Sequence, residues 1–159
     1  MKRLLSLLFS ALILVSALVC PAYAAQNSAP EVFTETFTEY FDDGSYLVTT
    51  INSSEITTMS VAIKSGSKSA HYFSSDDREL WVVTVFGTFS YNGASATCTE
   101  SSVKYTVYDS DWKVKSAISS KSGADAIGTF TVKHYFTFVP VKTIEETVIL
   151  NCSKTGVLS

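Results

Sequence analysis

Between Phe33 and Cys152 the chain is a succession of runs in which apolar and polar residues alternate, interrupted every 8–12 residues or so (about that spacing) by turn signals. Period-two alternation gives a strand one dry and one wet face, and it gives a helix no continuous stripe. The runs therefore restrict the chain to an all-β fold. The longest, Glu79–Tyr91, puts Trp81, Val83, Val85, Phe89 and Tyr91 on one face and Thr84, Thr88 and Ser90 on the other. Leu80, Val82 and Phe86 share the threonine face, so its first half is expected to be covered on both sides.

Asp43-Gly44 joins Phe33–Phe41 to Tyr46–Asn52, and Asn92-Gly93 follows the long run; both pairs are strong hairpin signals. Thr57–Lys64 reads as a third run with Met59, Val61 and Ile63 on one face, turned by Ser65-Gly66-Ser67 into Lys68–Phe73. Ala94–Thr99, Val103–Tyr108 and Trp112–Ser119 follow. Ala126–Val139 places Phe130, Val132, His134, Phe136 and Phe138 together, Pro140 marks a break, and Lys142–Cys152 closes the series. Phe33, Phe37 and Phe41 also fit a helical spacing, while Glu35 and Glu39 would guard an edge strand with charge. The reading is an antiparallel β-sandwich, immunoglobulin-like or a related Greek key, of about 8–9 short strands closed by one disulfide.

The first 24 residues read as a cleavable signal peptide. Lys2 and Arg3 precede an apolar stretch from Leu4 to Val19, Pro21 breaks it, and Ala22-Tyr23-Ala24 supplies small residues for cleavage between Ala24 and Ala25. The stretch is short for a membrane span, and Val19 and Ala17 suit lipid attachment at Cys20 poorly. Residues 25–31 read as a flexible arm and 32–159 as a single domain. The mature chain is expected outside the cell, secreted, with no stable membrane anchor.

Cleavage removes Lys2, Arg3 and Cys20. Ten basic residues then face 15 acidic ones, formally −5, and the remaining lysines are scattered singly. Nucleic acids and anionic membranes both select clustered cations, so the sequence argues against either partner. Cys98 and Cys152 are left as a matched pair, expected to form a bridge worth about 4 kcal/mol. Their isolation from other ligands argues against a metal or a cofactor. Ser and Thr make up 39 of the 135 mature residues, a composition that suits strands better than helices.

No catalytic constellation emerges. His71 reads as a surface residue and His134 as a packed one; neither sits in a nucleophile motif. Asp42-Asp43, Asp76-Asp77 and Asp109/Asp111 fall in turns, where aspartate supports the backbone locally. Glu145-Glu146 falls in the last run, with Glu146 in its inward register. Asn52-Ser53-Ser54 and Asn151-Cys152-Ser153 match glycosylation sequons by composition. Trp81 and Trp112 alternate with apolar neighbours and are expected in the core. Tyr40, Tyr46, Tyr72, Tyr91, Tyr105, Tyr108 and Tyr135 would form a stacking platform if some face outward together.

Tyr40–Tyr46 (YFDDGSY), Leu80–Gly93 (LWVVTVFGTFSYNG), Ala96–Thr99 (ATCT) and Leu150–Ser159 (LNCSKTGVLS) carry a resemblance to small uncharacterised secreted β-proteins of Gram-positive anaerobic bacteria, a domain of unknown function. The resemblance implies export and a β-scaffold and implies no catalytic residue. The Cys98, Trp112, Cys152 spacing is similar to that of immunoglobulin domains, but Leu150 stands where the corner tyrosine belongs. The functional expectation is a non-enzymatic binding or structural module for an extracellular carbohydrate or protein. A membrane-active or self-assembling protein is the alternative, on the length of Ala126–Val139, and a carboxylate hydrolase the remote one.

Overall fold

The computed structural model describes residues 33–56 and 62–159. The export segment 1–24, the Ala24–Ala25 junction, the arm 25–31 and the stretch around Met59 and Val61 lie outside the described residues. Eight strands follow in order: β1 (Phe33–Tyr40), β2 (Tyr46–Ile56), β3 (Ala62–Phe73), β4 (Glu79–Tyr91), β5 (Ala96–Val107), β6 (Trp112–Ser122), β7 (Asp125–Phe136) and β8 (Val139–Asn151). They form two antiparallel sheets, β1-β2-β3-β4-β5 and β6-β7-β8. Every described neighbour is consecutive in sequence, so the expected Greek key is corrected to a meander folded over between β5 and β6. Short turns favour this, because each strand meets its successor at minimal loop-closure cost.

The core lies between the sheets. Trp81, Val83, Val85 and Phe89 of β4 are fully buried, as are Phe130 and Val132 of β7 and Leu150 of β8. Tyr72 stacks on Trp81 at 5.0 Å, and Trp112 stacks on His134 at 4.8 Å. Both tryptophans are thus core residues, as the alternation indicated, and His134 is a packing residue.

Three strand boundaries differ from expectation. Ser65-Gly66-Ser67 is no turn: β3 runs straight through it, with Gly66 paired to Ser53 and to Gly87. A Cβ on Gly66 would collide with Leu158 and with the Asn52 carbonyl, so the glycine serves close approach, the other reason for glycine in a strand. Ala94–Thr99 and Val103–Tyr108 merge into β5, where Thr99 is the extra residue of a bulge between the Thr88–Glu100 and Phe89–Cys98 pairs. Lastly, the β7–β8 turn falls at Thr137-Phe138, and Pro140 sits inside β8 opposite Tyr135. That position is on an edge strand, where a missing N–H is tolerated. Phe136 and Phe138, expected to share the face of Phe130 and Val132, are consequently 71% and 92% exposed while those two are buried.

The expected disulfide is not at bonding distance in the structure. Cys98 and Cys152 are buried free thiols. Each Sγ is turned to a carbonyl near its own position, Cys98 to Glu100 at 3.1 Å and Cys152 to Ser153 at 3.5 Å.

Candidate functional site

Four small residues lie in register across the large sheet: Ser53 on β2, Gly66 on β3, Gly87 on β4 and Ser101 on β5. On the inner side this belt gives room to Leu158 under Gly66 and to Phe89 and Ala126 under Gly87. On the outer side the adjoining rows are low and hydroxylated. One row is Asn52, Ser67, Phe86 and Ser102; the next is Ser54, Ser65, Thr88 and Glu100. Ser119, Ser120 and Lys121 of β6 stand beyond β5, and Lys121 Nζ donates to the Thr99 carbonyl at 2.5 Å.

The result is an open cleft of about 900 Å³, walled largely by serine and threonine. Phe86 is 36% exposed in it, and the Lys104 ammonium lies 5.5 Å from the centre of its ring. Among the described residues, Glu100 is the one carboxylate in the lining. The same outer face carries further paired polar groups, Thr34 donating to Asn52 at 2.9 Å and Ser69 against Thr84 at 2.9 Å.

Toward the opposite end of this face, Tyr40, Tyr46 and Phe73 occupy directly paired positions on β1, β2 and β3. Tyr46 stacks on Phe73 at 4.8 Å and tilts against Tyr40 at 5.4 Å. Tyr40, 74% exposed, ends the ladder, and the Tyr46 hydroxyl donates to Asp77 at 3.0 Å. Three aromatics thus share one outward strip. Tyr72 points into the core, while Tyr105 and Tyr108 are exposed elsewhere.

The turns at this end are tied together. Lys142 donates to Asp43 at 2.7 Å and to the Tyr72 oxygen at 2.8 Å; Tyr72 donates to Ser45 at 2.8 Å, and Ser45 donates to Asp43. The Lys142 and Ser45 hydrogen bonds hold the Asp43 carboxyl well below the usual range. Its contribution to stability is therefore present above the ordinary carboxylate pKa and fades as the pH falls below it. Arg78 pairs with Asp109 at 2.8 Å, linking two further turns. The aspartates expected in turns are all in turns, and Asp43, Asp76, Asp77 and Asp109 anchor them by hydrogen bonds or ion pairs.

The remaining sequence candidates lie apart from the cleft. His71 pairs with Glu79 at 2.7 Å on the outer face. Glu146 does face inward, opposite Phe130, and burial followed by the Glu39 charge raises its pKa. Burial likewise raises the Cys98 and Cys152 thiols, which keeps them protonated and poorly nucleophilic. Among the described residues no three His, Cys, Asp or Glu side chains are grouped to hold a metal ion. The cleft itself escaped the sequence reading, since its lining comes from five strands and only the register assembles it. No protein-family model, curated protein or solved structure matches the chain.

Proposed function

We propose that the mature chain is an exported binding module and that the cleft on the outer face of the large sheet takes a carbohydrate. The observation that carries this is the cleft's lining of many short hydroxyls around one exposed aromatic ring. Hydroxyls both donate and accept, which suits a sugar's own hydroxyls, and Phe86 offers an apolar face for the ring carbons. The Tyr40–Tyr46–Phe73 strip on the same face would contact a longer chain. Among the described lining residues Glu100 stands alone as a carboxylate, which favours binding over hydrolysis, since hydrolysis uses two carboxylates across one cleft.

Titration calorimetry of the mature protein against soluble oligosaccharides tests the reading. Binding to at least one is expected, and Phe86→Ala is expected to weaken it about tenfold, a loss of some 1.4 kcal/mol. Heat absent from every sugar, or undiminished in Phe86→Ala, would sink it.

Export also bears on the thiols. The backbone N–H groups of Cys98 and Cys152 donate to the successive carbonyls of Gly123 and Ala124, at 2.8 and 3.0 Å, so one turn holds both. We propose that outside the cell they close into a bridge: a disulfide oxidant takes up their two protons and two electrons, its own S–S bond breaks as theirs forms, and it leaves as two thiols. Protein collected from the medium and unfolded should then show no free thiol, and two free thiols would refute closure.

A further inference from the structure

The β7–β8 hairpin has an unusual tip. Its two turn residues, Thr137 and Phe138, sit at φ 47° and 72°, the conformation a two-residue hairpin turn normally fills with Asn-Gly. A bulky aromatic is strained there, and strain of this kind concentrates where it serves a function. Around it Phe136, Phe138, Val139 and Val141 are between 57% and 92% exposed. An apolar patch of this kind on a projecting turn marks an interaction surface.

The charges beside the tip indicate the partner. Lys113 and Lys133 stand directly opposite each other on β6 and β7, an arrangement that costs stability in a sheet. The ammoniums of Lys113 and Lys115 both lie near the Tyr135 ring, 5.3 and 5.4 Å from its centre. None of these three lysines has a carboxylate partner among the described residues. At the same end Asp43 and Asp109 are neutralised by Lys142 and Arg78. Asp111 lies on the neighbouring turn, Glu145 stands on β8 opposite Thr131, and Asp42, Asp76 and Asp77 flank Asp43 and Arg78 on the turns that these links join, with Asp77 accepting from the Tyr46 hydroxyl. Lysines scattered in sequence are thus gathered by the fold behind an apolar knuckle.

We propose that the hairpin tip docks reversibly into the interface of a lipid bilayer bearing anionic headgroups. The two phenylalanines and two valines enter the acyl boundary, while Lys113, Lys115 and Lys133 meet the phosphates and Tyr135 sits at headgroup level. An apolar tip framed by unpaired cations complements that surface, and the small depth makes the attachment weak. This surface is separate from the sugar cleft and does not depend on it.

Cosedimentation of the mature protein with phosphatidylcholine vesicles, with and without phosphatidylglycerol, tests the proposal. Wild-type protein should partition onto the anionic vesicles and be released by high salt. The F136S/F138S variant should lose about tenfold or more in partitioning per phenylalanine. The K113Q/K115Q/K133Q variant should lose roughly fivefold per lysine, together with most of the salt dependence. All five positions lie on the surface, and unchanged thermal unfolding verifies that each variant folds. The proposal is overturned if wild-type protein ignores both vesicles, or if the variants partition as wild type does. A phenylalanine variant that alters only the elution volume of the free protein also overturns it, since the tip would then contact a second copy.

Discussion

Truncation of Trp81 to alanine is expected to destabilise the fold by about 3–5 kcal/mol, the range for removing a large buried aromatic. Trp81 is completely buried, stacks on Tyr72 and tilts against Trp112 at 6.3 Å. Its removal therefore opens the aromatic core that also supports the Tyr72 hydroxyl, and with it the Lys142–Asp43 link between turns. Trp81→Phe should cost less, about 1–2 kcal/mol, because the indole Nε1 has no hydrogen-bond acceptor among the described residues and only volume is lost. Urea unfolding of both variants checks the pair. Equal losses would mean that the indole N–H has a partner within the core.

The strand most legible in the sequence is the one that carries this residue. Glu79–Tyr91 begins and ends where alternation placed it, since its inward positions are long apolar side chains and its ends are polar turns. Asp43-Gly44 and Asn92-Gly93 were legible for a local reason: Gly44 and Gly93 occupy positive φ, at 77° and 82°, and turn chemistry is written in adjacent residues. Gly66 misled because a glycine needed for a neighbour's approach looks the same in sequence as one needed for a turn. Nothing local announces that Leu158, far along the chain, will lie beneath it.

The turn at Thr137-Phe138 was hidden for the opposite reason. It lacks glycine and asparagine, and the alternation runs through it unbroken, so the change of direction is imposed by pairing with β8. The candidate sites belong to the same category. The cleft joins Asn52 to Lys121 through five strands, and the lysine group joins positions 113, 115 and 133 through one register and one bulge. Side-chain direction along a strand can be read from sequence, but cross-strand partners depend on register, which a single bulge changes. The thiols show the same limit: the composition paired them, while the geometry gives each a carbonyl.

The segment that closes the fold, Ser153–Ser159, carries the second large effect. It turns back on itself through Ser153 and Val157, whose backbones pair at 2.8 Å, and Ser159 exchanges two hydrogen bonds with Asn151 at 2.9 and 3.0 Å. Gly156 holds φ 84° against the Tyr91 ring, where a Cβ would collide. This tight return delivers Leu158, 7% exposed, into the core beneath Gly66, and covers Cys152. Deleting Ser153–Ser159 is expected to destabilise the protein by about 3–5 kcal/mol, and Leu158→Ala alone by about 2–4 kcal/mol, by cavity formation under the glycine belt. Under reducing conditions the deletion should also expose the Cys152 thiol, so its labelling should become fast while that of Leu158→Ala stays slow. Denaturation and thiol labelling of the two variants separate burial of one side chain from the cover that the whole turn provides. An unchanged unfolding midpoint in the deletion would mean that the belt and the core beneath it hold without the tail.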